Sequence, residues 1–114
     1  MLRAACLILA LILPLGLSLD PAFAGGDVKA GAQKIKTLQC QNCHGKDGLS
    51  KQAGVPNLAG QAQDYLIAAL AAYRSGERKN DMMNTIAQPL GDADLADLAA
   101  YYAAIEITAK VPAP

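Results

Sequence analysis

The chain has no tryptophan, and its one phenylalanine, Phe23, lies near the N-terminus. Four tyrosines are its other aromatics: Tyr65, Tyr73, Tyr101 and Tyr102. There is one histidine, His44, and there are three cysteines, of which Cys6 stands far from Cys40 and Cys43. Acidic and basic residues balance at ten each. A neutral chain gives no electrostatic reason to expect nucleic acid or an anionic membrane as partner. The shortage of donors argues against structural zinc, which needs four ligands. Cys40, Cys43 and His44 supply three, and adjacent Cys43 and His44 could hardly share one tetrahedral ion. No segment alternates apolar and polar residues as a strand would. Nor does any apolar run reach the ~20 residues of a membrane-spanning helix.

What is present divides into two parts. Arg3 precedes the apolar run Ala4 to Leu13, which Pro14 and Gly16 break. Ala22-Phe23-Ala24 then places small residues two apart, before Gly25. A charge, a short greasy core and an A-x-A site describe a secretory signal peptide. Residues 1–24 are therefore expected to be removed, leaving residues 25–114 as one domain exported to the periplasm and not anchored in the membrane.

Within residues 25–114 helical periodicity appears three times. From Asp27 to about Gln39, Val28, Gly31, Ala32, Ile35 and Leu38 share a face that Asp27 is placed to cap. From Gln63 to Ser75, Leu66, Ala69, Leu70 and Tyr73 recur at helical spacing, with Gly76 to end the helix. From Gly91 or Asp92, Leu95, Leu98, Ala99, Tyr102 and Ile105 line a face, and Asp92 and Asp94 suit the positive end of a helix dipole. Gly45 to Gly60 and Gly76 to Pro89 read as loops, long enough to suggest that they wrap around something. Small domains often need a staple. With Ala, Leu and Ile as the main core formers, something large and apolar is missing from the written sequence.

The stretch "TLQCQNCHGKDG" carries the chemistry. C-x-x-C could be a thiol oxidoreductase motif, but that chemistry is expected beside a βαβ pattern, which this chain lacks. C-x-x-C-H is also the attachment motif for c-type haem. Two cysteines three apart reach the two vinyl-derived carbons on one porphyrin edge, and His44 is then offered to the iron from one side. Export agrees with this, because c-type haem is attached outside the cytoplasm in bacteria.

The ordered set "CQNCHGKDG", "GVPNLAGQ", "YRSGERKNDMM" and "LGDADLADLAAYYA" spans nearly all of residues 25–114. On these stretches the sequence resembles the class I c-type cytochromes, most closely the small periplasmic monohaem ones of the c-553 kind. It also resembles one half of the related two-haem cytochromes. The resemblance implies an all-α fold, the class I cytochrome c fold, with N- and C-terminal helices crossing beside a covalently bound haem. Gly31 and Ile35 would meet Leu98 and Tyr101 there. One haem c would be attached through Cys40 and Cys43, with His44 and Met83 as the axial ligands of its iron. Met83 is preferred over Met82 because counting back from Gly91 in the family's spacing reaches it. Gly91 departs from the family's usual Ser or Thr before the last helix, but glycine is an acceptable N-cap, with Asp92 to assist. Pro56 resembles the family proline whose carbonyl accepts from the ligating histidine's other ring nitrogen.

The function so implied is that of a soluble periplasmic one-electron carrier, cycling between Fe(II) and Fe(III), with no catalytic residues of its own. Its partners would be redox proteins, a respiratory or photosynthetic donor and acceptor, met through transient contacts. The alternative is the cytochrome subunit of a periplasmic oxidoreductase, such as a flavin-containing sulfide dehydrogenase. A haem enzyme or gas sensor would require an open iron position, against which methionine ligation argues. Tyr73, Tyr101 and Tyr102 read as core and pocket packing, and Lys46, Lys51, Arg74, Arg78 and Lys79 as a solvated rim.

Overall fold

Asp27 opens the first helix as its sequence position suggests: its Oδ1 accepts from the Ala30 N–H at 2.6 Å. The computed structural model describes residues 25–114, so the expected signal segment 1–24 lies outside the described residues. Five helices follow in order: α1 (Val28–Thr37), α2 (Cys40–His44), α3 (Gln63–Ser75), α4 (Asp81–Ala87) and α5 (Asp92–Ala103). There is no strand among the described residues.

Helix α1 crosses α5, and Gly31 lies buried where they meet. A Cβ at Gly31 would lie 2.7 Å from the Tyr101 Cβ and would run into the Asp97 carbonyl. Only glycine lets the two backbones approach this closely. Charge closes the crossing as well. Lys34 Nζ reaches Asp94 Oδ1 at 2.7 Å and Asp97 Oδ2 at 2.6 Å. Asp97 Oδ1 also accepts from the Asp27 N–H at 2.7 Å. These bonds favour the charged forms: the pKa of Lys34 is raised, first by Asp94 and then by Asp97. The Asp94 and Asp97 carboxyls are lowered, chiefly by Lys34.

Ile35, Leu66, Leu90, Leu95, Leu98, Ala99 and Tyr102 form the core, drawn from α1, α3, α5 and the residue pair before α5. Ile35 and Leu95 are fully buried. Gly76, in the left-handed conformation at φ 80°, ends α3. Arg74 then ties α3 to the start of α5, donating to the Leu90 carbonyl at 3.0 Å and to Asp92 Oδ1 at 2.7 Å. Asp92 is therefore spent on Arg74. The residue that assists the Gly91 cap is Asp94, whose Oδ2 accepts from the Gly91 N–H at 2.9 Å.

Two elements differ from the periodicity reading. The segment expected as an irregular loop from Gly76 to Pro89 contains helix α4, and the C-x-x-C-H stretch is itself a short helix, α2. Both are too short for an apolar period to show. Asn80 starts α4, its Oδ1 accepting from the Met83 N–H at 3.0 Å. Gln39 separates α1 from α2 by adopting φ 59°, the only positive φ at a non-glycine among the described residues.

Candidate functional site

Because Gln39 turns the chain within one residue, α2 starts immediately against the end of α1, with Cys40 first and His44 last. Gly45 ends α2 at φ 84°, where a Cβ would collide with the Leu49 carbonyl. The C-x-x-C-H turn is thus fixed at both ends by backbone that few side chains tolerate.

The long loop after α2 is stitched back onto it. Ser50 Oγ donates to the Cys43 carbonyl at 2.9 Å, and Gln52 Nε2 to the Asn42 carbonyl at 2.9 Å. The Leu58 and Ala59 N–H groups both donate to the Gly48 carbonyl, and the Gly60 N–H donates to the Tyr102 carbonyl. This wrapping brings Pro56 over His44, whose Nδ1 lies 2.9 Å from the Pro56 carbonyl oxygen. A carbonyl can only accept, so Nδ1 carries the proton and Nε2 keeps its lone pair for a metal. His44 is the buried polar residue of the core region, 8% exposed.

Cys40 and Cys43 are unpaired and half-buried. Burial pushes the Cys40 thiol up, the opposite of what a reactive thiolate requires. Among the described residues no group of three His, Cys, Asp or Glu side chains could hold a metal ion between them.

Met82 and Met83 take different positions on α4. Met82 is 62% exposed. Met83 is half-buried and stands one turn before buried Ala87 on α4, so the two share the inward face. Asn84 braces this helix: its Nδ2 donates to the Tyr73 carbonyl at 2.7 Å and the Arg78 carbonyl at 2.8 Å. Its Oδ1 accepts from the Asn80 N–H at 2.8 Å. The sequence reading passed over Asn80 and Asn84. An asparagine at the cap position followed by Asp81 was the available signal.

The tyrosines and basic groups also sort themselves. Tyr101 donates to the Lys46 carbonyl at 2.9 Å, so it does more than pack. The Arg78 guanidinium sits over the Tyr73 ring at 4.7 Å. Lys46, Lys51 and Lys79 are exposed, whereas Arg74 is engaged with α5 and is not a free rim charge.

Half-buried apolar side chains, Leu38, Leu58, Ile67, Leu70 and Ala71, pack against the core beside Cys40. Buried in that core is one hydroxyl, on Tyr102, that has no partner among the described residues. An apolar wall, an unpaired donor and a histidine with one nitrogen left over suit a large flat group with an iron at its centre. The class this defines is an all-helical electron-transfer protein with covalently attached haem.

Comparison with known proteins agrees. The family model described as cytochrome c matches residues 28–105. The chain is 46% identical over 84 residues to cytochrome c-554(548) of Halomonas halodenitrificans, covering 71% of this chain and 99% of that one. Among solved structures it is similar to cytochrome c4 of Acidithiobacillus ferrooxidans, with TM-score 0.63 and 32% identity over 73% of this chain and 52% of that one. It is also similar to part of the thiosulfate dehydrogenase TsdBA of Marichromatium purpuratum, with TM-score 0.65 and 28% identity, over 76% of this chain and 20% of that one. The chain spans about half the length of the cytochrome c4 relatives it matches. The chain belongs to the cytochrome c family. Members of this family are electron carriers that bind haem c covalently through C-x-x-C-H, and Cys40, Cys43 and His44 are that motif in this chain. The all-helical fold is the one expected for a class I cytochrome c.

Proposed function

We propose that the protein is a soluble one-electron carrier of the periplasm, with His44 and Met83 as the axial ligands of a single haem c. The observation that carries the reading is the pairing of a buried, singly occupied imidazole with a methionine on the inward face of a braced helix. When bound, the haem would supply the Fe(II)/Fe(III) couple, and His44 with Met83 would hold its iron, a ligand pair that raises the potential.

The chain's own residues do the rest. The Pro56 carbonyl holds the His44 proton on Nδ1, which orients the ring and strengthens it as a donor. Asn80 and Asn84 fix α4 and with it the position of Met83. Leu58, Ile67 and Leu70 exclude water from the crevice. Electrons would pass at the edge near Cys40 and Cys43, and a small, transient docking interface suffices. Among the described residues no helix is long and apolar enough to cross a membrane.

The similarity to part of a thiosulfate dehydrogenase supports a second reading, the cytochrome subunit of a periplasmic oxidoreductase. Co-purification with a larger subunit would favour it, and a monomer that exchanges electrons freely would favour the carrier. The test of the ligands is an absorption spectrum of protein made in a strain with haem-attachment machinery. Covalent low-spin haem with a methionine-to-iron charge-transfer band is expected, lost in Met83→Ala and kept in Met82→Ala. The reverse pattern would move the ligand to Met82.

A further inference from the structure

Tyr102 is 3% exposed, and its hydroxyl has no hydrogen-bond partner among the described residues. The side chains clustered with it are Ile35, Leu66, Leu90, Leu95, Leu98 and Ala99, none of which can accept. Leaving such a hydroxyl unsatisfied costs about 1–3 kcal/mol, a cost that phenylalanine would avoid. Tyr101, whose ring meets that of Tyr102 edge-on at 5.3 Å, sends its own hydroxyl to Lys46 and offers nothing. The Tyr102 carbonyl is likewise taken, by the Gly60 N–H. Cys40, which would hold the haem by one edge, packs on the same cluster. Haem carries its carboxylates on the edge away from the carbons that receive cysteine. The cluster that holds the hydroxyl therefore lies against the thioether edge.

We propose that Tyr102 donates its O–H to the thioether edge of the bound haem, at the pyrrole ring that Cys40 would carry, and thereby favours the ferrous state. The inference rests on the haem reading above. A donor at this edge draws electron density from the ring, and the ferric state, with one more positive charge, tolerates that loss less well. The carrier's potential is thus set in part by a group that touches neither axial ligand.

Tyr102→Phe holoprotein tests this, because the change removes one oxygen and leaves the packing intact. Its spectrum reports covalent haem, which tests the earlier reading separately. In a spectroelectrochemical titration the variant's equilibrium should move about threefold towards ferric, or about 28 mV at ~59 mV per tenfold for a one-electron couple. The ferrous form should lose stability relative to the ferric by the same factor. An unchanged potential, with both oxidation states equally stabilised, would mean the hydroxyl stays unsatisfied and would overturn the proposal. A shift that disappears as the haem carboxyls protonate would assign the bond to a carboxylate and overturn it too. In the wild-type protein, redox difference infrared spectra with labelled tyrosine should show a phenol C–O band responding to haem oxidation. Its absence would count against the proposal even if the variant failed to fold.

Discussion

Gly31→Ala separates two accounts of the α1 helix by sign. In an ordinary helix interior, replacing glycine by alanine stabilises by about 1 kcal/mol. At the crossing the new methyl would stand 2.7 Å from the Tyr101 Cβ and would press on the Asp97 carbonyl. Carbon atoms pack at ~3.5–4.0 Å, so the two helices must part by about 1 Å. Asp97 cannot yield alone, because Lys34 and the Asp27 N–H both hold its carboxylate. Forced overpacking costs about 1–3 kcal/mol, and contact with backbone belongs at the upper end. Subtracting the helix gain leaves a net loss of about 2 kcal/mol. For a domain of this size that lowers Tm by roughly 8–16 °C, at ~4–8 °C per kcal/mol. The assay is thermal unfolding of the ferric holoprotein followed by far-ultraviolet circular dichroism, with wild type and variant in one oxidation state. A Tm equal to or above that of the wild type would refute the close crossing and the charge closure argued with it.

Two further perturbations address the elements around the site. Asp94 and Asp97 have lowered folded pKa values, so the stability they confer is present above the ordinary carboxyl value near 3.8 and fades as pH falls through the folded values. Lys34 is raised above 10.5, so its contribution is complete below that pH and fades as pH rises through the folded value. Lys34→Met should therefore flatten both the acid and the alkaline flanks of the stability–pH curve; parallel curves for variant and wild type would show that the lock contributes nothing. Asn84→Ala removes three hydrogen bonds at about 1 kcal/mol each. On heating, its methionine-to-iron band should vanish well before the helical signal, whereas simultaneous loss of the two would show that α4 needs no brace.

The long elements of the fold were legible because their apolar positions repeat over several turns. Gln63 to Ser75 coincides with α3, and Asp27, Gly76 and Gly91 cap the helices they were expected to cap. The meeting of Gly31 with Tyr101, which the resemblance implied, also holds. Helices α2 and α4 were not legible as helices. Five and seven residues are too few to establish a period, and both are held by side chains outside themselves or by their own polar groups reaching out, Ser50 and Gln52 onto α2 and Asn84 onto the Tyr73 and Arg78 carbonyls. The reach of Lys34 was invisible for another reason. A lysine off the apolar face looks solvated until α5 is placed beside it. Asp92 and Arg74 illustrate the same limit: each had a plausible local role, and the fold paired them with each other. The motif cysteines and histidine were legible from spacing alone. That one phenol in the core would lack a partner required knowing what surrounds it.

The crossing of α1 and α5 has a consequence in time. Asp27 and Asp97, bonded directly, are 70 positions apart. Closing a loop of that length costs on the order of 4 kcal/mol of chain entropy before any contact is made. A chain emerging from its N-terminus cannot make this closure until nearly all of it has appeared. Residues 40–44 lie inside the loop so closed, next to the N-terminal partner. Until Asp97 has appeared this latch cannot close over residues 40–44, which leaves the C-x-x-C-H stretch open to covalent loading before α5 is in place.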